Sequence, residues 1–209
     1  MNSSRYQTVI YDCDGVMFDS FDANFQFYAR IMARFDRPPL DRSDAETMRI
    51  LHSYSNRDVM EYFFAGDPCK EEALRFAGSI DYRELVPFMR MEPGFRETLD
   101  ELCGATRLAV CTNRSTSMEL LLEDFDLSRY FSCVMTAARV NNPKPHPEPL
   151  LKILEHYGIA PEEALFVGDS ALDSQAAAAA RVPFVAYKSD LPALRTIGHH
   201  AEIMEFVRG

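Results

Sequence analysis

Gln7-Thr8-Val9-Ile10-Tyr11-Asp12-Cys13-Asp14-Gly15-Val16 is the stretch from which the rest of the chain can be read. Thr8 to Tyr11 are β-branched or aromatic, the composition of a short buried strand. Asp12 to Gly15 is loop chemistry, and Gly15 lets the backbone turn sharply after the strand. The spacing therefore predicts a strand whose C-terminal end carries two acids, Asp12 and Asp14.

The same pattern recurs far downstream. Residues 107–111, 133–135, 164–167 and 183–187 read as strands, and helical periodicity over 95–102, 117–125, 149–157 and 173–180 alternates with them. Gly158 is placed to cap the third of these helices. A last short helix is expected over 203–207. Strands alternating with helices imply a parallel sheet covered on both faces. The alanine run 176–180 reads as a small-residue helix face packed close to that sheet.

Between the first strand and this alternation the chain changes character. Phe21, Phe25, Tyr28, Ile31, Met32 and Phe35 recur at helical spacing, and Pro38-Pro39 is expected to end that helix. Further helices are expected over 44–51 and 57–64, the latter capped by Asn56. Gly66-Asp67-Pro68 breaks the chain, and one or two helices follow over 70–85. The organisation is thus an α/β fold. Residues 1–16 and 90–209 form a Rossmann-like parallel-sheet core with helices on both faces. Residues 17–89 form an inserted all-α cap.

Composition narrows the function classes. The chain has 209 residues, 47% hydrophobic and 26% charged, so it is long enough to bury a full core. Its formal net charge of −10 argues against coating nucleic acid or an anionic membrane. It permits a small anionic ligand where a bound cation inverts the local field. No apolar run approaches the roughly 20 residues of a membrane span, and Met1 to Tyr6 contains no signal-peptide core. A cytoplasmic protein is expected. The five cysteines, Cys13, Cys69, Cys103, Cys111 and Cys133, are odd in number and form no CxxC pair, which points to reduced thiols.

In a parallel sheet all strand ends of one sense share an edge, where ligands bind. Asp12 and Asp14 follow the first strand, Thr112 and Asn113 follow the second core strand, and Asp169 follows a later one, with Asp173 four residues on. Lys144 lies in the loop Asn141-Asn142-Pro143-Lys144-Pro145-His146-Pro147. Four converging carboxylates repel one another, and a hard divalent cation relieves this. Oxygen-only ligation favours Mg²⁺ over Zn²⁺. Lys144 would stand beside Asp12 and hold a phosphoryl oxygen, with Thr112 as a neutral donor. Asp12 is assigned as the nucleophile on phosphorus. Asp14 is assigned as the acid that protonates the leaving oxygen and the base that deprotonates water.

Asp12-Cys13-Asp14-Gly15-Val16-Met17-Phe18-Asp19-Ser20 resembles the first motif of the haloacid dehalogenase-like hydrolase superfamily. Thr112-Asn113 resembles its second motif, Lys144-Pro145 its third, and Gly168-Asp169-Ser170-Ala171-Leu172-Asp173 its fourth. Met91-Glu92-Pro93-Gly94 resembles the return from cap to core. The resemblance implies Mg²⁺ on the Asp12 carboxylate, the Asp14 carbonyl and Asp169, with Asp173 as a further ligand or a support behind them. It implies that Thr112 and Lys144 bind the phosphoryl group. The second acid, Asp14, separates the chain from the dehalogenase branch, whose halide leaving group needs no proton. The phosphoglycolate phosphatase-like and β-phosphoglucomutase-like subgroups fit best. Arg181 stands where such chains usually have Gly; if it must adopt positive φ there, it carries strain of roughly 1 kcal/mol.

In the cap, His52 to Arg57 form a polar cluster between two helices; the resemblance implies that a cap loop at about this place dips into the site and selects substrate, with Arg57 a candidate for a second anionic group. Asn113 is a further substrate contact. Arg114 reads equally as a substrate contact or a solvated side chain. His146 reads as a loop residue, and His199 and His200 read as a surface pair. The expected activity is phosphate release from a small phosphorylated metabolite, by a monomer or a homodimer formed through the cap. A sugar phosphomutase and a non-catalytic phosphate-binding domain are the other readings.

Overall fold

The computed structural model describes residues 6–208. In chain order the first elements are β1 (Thr8–Tyr11), β2 (Phe18–Asp19), α1 (Phe21–Arg34), α2 (Ala45–Ser53), α3 (Asn56–Phe64), α4 (Lys70–Ser79) and β3 (Arg90–Met91). There follow α5 (Phe95–Leu102), β4 (Arg107–Cys111), α6 (Met118–Asp124), β5 (Cys133–Met135), α7 (Glu148–Tyr157), β6 (Ala164–Gly168), α8 (Ala171–Ala180), β7 (Phe184–Tyr187), β8 (Arg195–Ile197) and α9 (Met204–Val207).

Six strands form one sheet in the order β5-β4-β1-β6-β7-β8, every neighbouring pair parallel. Tyr11 pairs with Val110 on one side and Val167 on the other, so β1 is central. The chain fills one side of β1 first and then crosses to the other. Strand order therefore reverses at β1, where α/β sheets open a crevice beyond the strand ends.

Alternation along the strands feeds two apolar layers. Val9, Tyr11, Val110 and Val167 pack with Phe95 and Leu99 of α5 and Leu121 of α6. Ile10, Ala109, Cys111 and Phe166 pack with Leu150 and Ile153 of α7 and with Ala176, Ala177 and Ala180 of α8. Because both faces are covered, the central strands run apolar without a break over Val9–Tyr11, Leu108–Cys111 and Leu165–Val167. The alanines act as expected: 176, 177 and 180 are buried, and 178 and 179 face outward.

From α1 to β3 the chain contains only α-helices, short 3₁₀ turns and loops. β2 and β3 pair antiparallel, Phe18 with Met91 and Asp19 with Arg90, which brings the two ends of the helical segment together. α1 ends at Arg34, before Pro38-Pro39, because Asp36 turns the chain out at φ 50°. Asp tolerates that left-handed conformation better than most residues. Ser55, not Asn56, caps α3, its Oγ accepting from Asp58 N at 3.3 Å. Past α4 the chain forms 3₁₀ turns at Tyr82–Glu84 and Val86–Phe88 instead of a second α-helix. β2, β3 and β8 have two or three residues each, too few for alternation to announce them.

Arg181 adopts φ 59° and Gly158 φ 62°, as their positions in the sequence require. His199 and His200 are not a surface pair. His199 is exposed, but His200 is fully buried, stacked on Tyr187 at 4.4 Å, with its Nε2 donating to Val16 O at 2.9 Å. Among the described residues no helix is long and apolar enough to cross a membrane.

Candidate active site

The sheet ends build one wall. Asp12 directly follows β1, and its N–H still donates to Val167 O at 2.9 Å, which fixes the residue against β6. Lys144 is buried, and its Nζ donates to Cys111 O at 3.0 Å at the end of β4. The same ammonium lies 2.8 Å from Asp12 Oδ1 and 2.5 Å from Asp173 Oδ1. Asp173 is tied down in turn, its Oδ2 accepting from Ser170 N at 3.0 Å and Ser170 Oγ at 2.6 Å across the first turn of α8. Gly168 makes this approach feasible: a Cβ there would sit 2.5 Å from Asp173 Cβ. Gly15, at φ 74°, is a second such position, since a Cβ there would sit 2.0 Å from Asp169 Oδ2.

Asp14 has a different partner. Arg114 is buried and forks onto its carboxylate, Nε to Oδ2 at 2.8 Å and Nη2 to Oδ1 at 2.5 Å. Arg114 N donates to Thr112 Oγ1 at 3.1 Å, which ties the fork to the end of β4. Its guanidinium also donates to Tyr82 Oη, to Ser117 Oγ at 3.2 Å and to Asn24 Oδ1 at 3.3 Å.

Two cations thus face four carboxylates, which leaves two negative charges unmatched if all ionise. Burial, then repulsion from Asp173, pushes Asp12 up to about 7. Burial, then repulsion from Asp12 and Asp173, pushes Asp169 up to about 8. For Lys144, burial opposes the charge, but Asp12 and Asp173 outweigh it and hold the amine protonated. For Asp14, burial also opposes the charge, but the Arg114 fork holds the carboxyl below its ordinary range. Oxygens of Asp12, Asp169 and Asp173 lie within 4.8 Å of one another. This surplus of negative charge, offered entirely by oxygen, suits a hard divalent cation.

The helical segment supplies the opposite wall. Asn24, Phe27 and Tyr28 of α1, Leu51, His52 and Ser53 of α2, Asn56 of α3 and Tyr82 line the cleft with the core residues. A cavity of only about 30 Å³ remains between the walls, room for one or two waters. His52 separates it from a second cavity of about 200 Å³ bordered by Gly15, Ser20, Phe21 and Asp169. The His52 ring stacks on Phe21 at 4.5 Å, and burial lowers its basicity, so the imidazole is neutral.

Asp12, Asp14, Asp169, Asp173, Lys144, Thr112 and Asn113 all converge at the sheet edge. Asp173 stands behind Lys144 and caps α8 while keeping one oxygen near Asp12 and Asp169. Asn113 is buried, its Nδ2 donating to Lys144 O at 3.0 Å and to Ser53 O at 3.4 Å. Arg57 does not line the cleft: it is exposed in the first turn of α3, and the preceding Asn56 takes that place. His146 is an exposed loop residue whose Nδ1 accepts from Glu148 N. Arg114 is no solvated side chain. The signal that could have found it is arithmetic: four acids predicted at one point need more than one cation. Tyr82 and Asn24 went unread because only helix packing brings them there.

A model of the haloacid dehalogenase-like hydrolases matches residues 9–187. A haloacid dehalogenase-superfamily hydrolase of subfamily IA, variant 1, from Geobacter sulfurreducens is 62% identical. It covers 97% of this chain and 100% of that one, with a TM-score of 0.87. Phosphoglycolate phosphatase of Escherichia coli K12 is 51% identical over 79 residues, 37% of this chain and 31% of the relative. The matched stretch thus spans about a third of that curated relative. CbbY from Rhodobacter sphaeroides, solved in complex with phosphate, shares the fold with a TM-score of 0.83 at 19% identity, over 98% of this chain and 100% of that one.

Proposed function

The chain belongs to the haloacid dehalogenase-like hydrolase family, and on that premise we propose that it is a Mg²⁺-dependent phosphatase of a small phosphate monoester, working through an aspartyl-phosphate on Asp12. The observation that carries this reading is Lys144, clamped between Asp12 and Asp173 at the strand reversal with Asp169 beside them. Residues 17–89 serve as the cap that closes over the cleft and excludes bulk water. The protein acts in the cytoplasm, where its free cysteines stay reduced.

Lys144 occupies Asp12 Oδ1, which leaves Oδ2 to attack phosphorus. A bond forms from Asp12 Oδ2 to phosphorus as the bond from phosphorus to the leaving oxygen breaks. Asp14 gives that oxygen its proton. Asp14 then takes a proton from water, which attacks phosphorus and releases Asp12. Bound through Asp12, Asp169 and the Asp14 carbonyl, with Asp173 beside them, Mg²⁺ would supply charge neutralisation for the phosphoryl oxygens. Thr112 and Lys144 hold the phosphoryl group in place.

The Arg114 fork bears on the proton steps. It favours ionised Asp14, the form that accepts a proton from water. The protonated form needed for the first half requires the fork to loosen. Asn24 and Tyr82, both on the helical segment, hold Arg114, so cap movement and Asp14 protonation are linked.

The test is phosphate release from small monoesters with Mg²⁺, beside Asp12→Asn and beside excess chelator. Turnover that disappears in both controls is expected. Turnover that survives Asp12→Asn removes the nucleophile from the reading, and turnover that survives chelation removes the metal.

A further inference from the structure

Two residues that line the cleft each carry a side-chain atom without a partner. His52 Nε2 and Asn113 Oδ1 are buried and unbonded, although both residues are otherwise held in place. Buried polar atoms are rarely left without a partner, so each of the two is open to a hydrogen bond from a molecule bound in the cleft.

Their hydrogen-bonding senses follow from their other contacts. Asn24 Oδ1 accepts from Arg114, so its Nδ2 is the end that meets Asp14 Oδ1, Ser20 Oγ and His52 Nδ1, each at 3.4 Å. His52 Nδ1 is therefore the acceptor, and the neutral ring carries its proton on Nε2. Asn113 donates through Nδ2 to Lys144 O and Ser53 O, which orients Oδ1 as an acceptor. The cleft thus offers one free donor and one free acceptor.

A hydroxyl can satisfy both senses, whereas a carboxylate only accepts and would meet Asn113 Oδ1 lone pair to lone pair. Charge points the same way. Among the described residues lining the cleft the cations are Lys144 and Arg114, the first committed to Asp12 and Asp173 and the second to Asp14. The five guanidinium N–H donors of Arg114 already have acceptors, two on Asp14 and one each on Tyr82, Ser117 and Asn24. Arg57 and Arg75 of the helical segment are exposed, and Lys70 is paired with Glu61.

We propose that His52 Nε2 and Asn113 Oδ1 receive hydroxyl groups of the leaving alcohol, so the site selects phosphate esters of small neutral hydroxylated alcohols over esters bearing a second anion. This rests on the phosphomonoester reading above.

The experiment uses a matched pair, 2-hydroxyethyl phosphate and phosphoglycolate, which differ in a terminal hydroxymethyl against a carboxylate. Dissociation constants are measured calorimetrically on the full Asp12→Asn chain with Mg²⁺, and kcat and KM are measured on the unmodified chain. The hydroxyethyl ester is expected to bind at least about tenfold more tightly. His52→Phe, which keeps the stacking on Phe21 and removes Nε2, should shrink that preference to about threefold or less and act mainly through KM. His52→Gln, which restores a donor, should recover most of it. Equal or tighter binding of phosphoglycolate, binding of neither ester, or a preference untouched by His52→Phe overturns the proposal. If neither ester nor an aryl phosphate is hydrolysed, the phosphatase reading fails, while the ratio of dissociation constants still decides this one.

Discussion

The two walls of the cleft are built on opposite terms. The core wall is charged and its two cations are committed: Lys144 serves Asp12 and Asp173, and Arg114 serves Asp14. The helical wall is uncharged, made of Asn24, Tyr28, His52, Ser53, Asn56 and Tyr82, with His52 Nε2 unclaimed. The core wall hangs on main-chain ladders at strand ends, so its atoms are fixed by the sheet. The helical wall depends on how α1, α2 and α3 meet. The difference assigns chemistry to the rigid side and selection to the packed side, and it predicts unequal sensitivity to substitution.

The largest effect should come from the core wall. Asp12→Asn keeps the side-chain shape and removes the proposed nucleophile, so kcat should fall by about 10³-fold or more, with circular dichroism unchanged. Lys144→Met strands Asp12 and Asp173 as buried acids without a cation. Loss of one partner of a buried pair costs about 3–5 kcal/mol, readable as a lower denaturant midpoint. A midpoint within error of the unmodified chain would break the claim that this wall is held by its charges.

Metal binding should share that dependence on charge. Without a cation, Asp12 and Asp169 titrate near 7 and 8, so protons compete for the same oxygens. Mg²⁺ affinity should therefore weaken as pH falls from about 8 to about 6, by up to about tenfold per pH unit for each proton displaced. Calorimetry in buffers of different ionisation enthalpy would count the protons released.

A further effect tests the support beneath the core wall. Burial lowers His200 to about 4, so the neutral ring's contribution is complete above its ordinary value near 6.5. It is lost as pH falls from there toward 4. The difference corresponds to roughly 3 kcal/mol. His200→Phe should remove that part of the acid sensitivity, measured as the change in unfolding midpoint between pH 7 and pH 4.5 relative to the unmodified chain.

The smallest effect should lie on the helical wall. Tyr82→Phe deletes one acceptor for Arg114 and should cost about 0.5–1.5 kcal/mol. Its clearer sign would be a shifted acidic limb in the pH profile of kcat, because Arg114 governs Asp14. A loss as large as that of Asp12→Asn would erase the contrast between the walls.

The same contrast explains what the sequence made legible. β1, β4, β5 and β6 carry apolar runs, Asp12, Asp14, Asn113 and Asp169 follow strand ends, and Asp173 lies one helical turn beyond Asp169, so period and punctuation located them. The Lys144 loop was legible because Pro143 and Pro145 stiffen a lone cation between a strand and a helix. Arg114 was ambiguous because a buried arginine differs from a solvated one only by the company it keeps, and Asp14 lies 100 residues away. Arg57 was chosen for its charge, but the first turn of α3 faces it outward. His200 passed for a surface residue because its burial depends on Tyr187, Tyr11 and Phe95 meeting around it. The two-residue strands β2 and β3 exist only because the helical segment returns to its start.

The most direct test of the central claim is to trap the phosphoryl group during turnover. The chain is mixed with a hydrolysed monoester and Mg²⁺, quenched in acid within one turnover, digested and mapped by mass spectrometry. The account predicts phosphate on the peptide that contains Asp12, absent from Asp12→Asn and labile to hydroxylamine as an acyl phosphate. Steady phosphate release with no phosphate on that peptide at any quench time would contradict it.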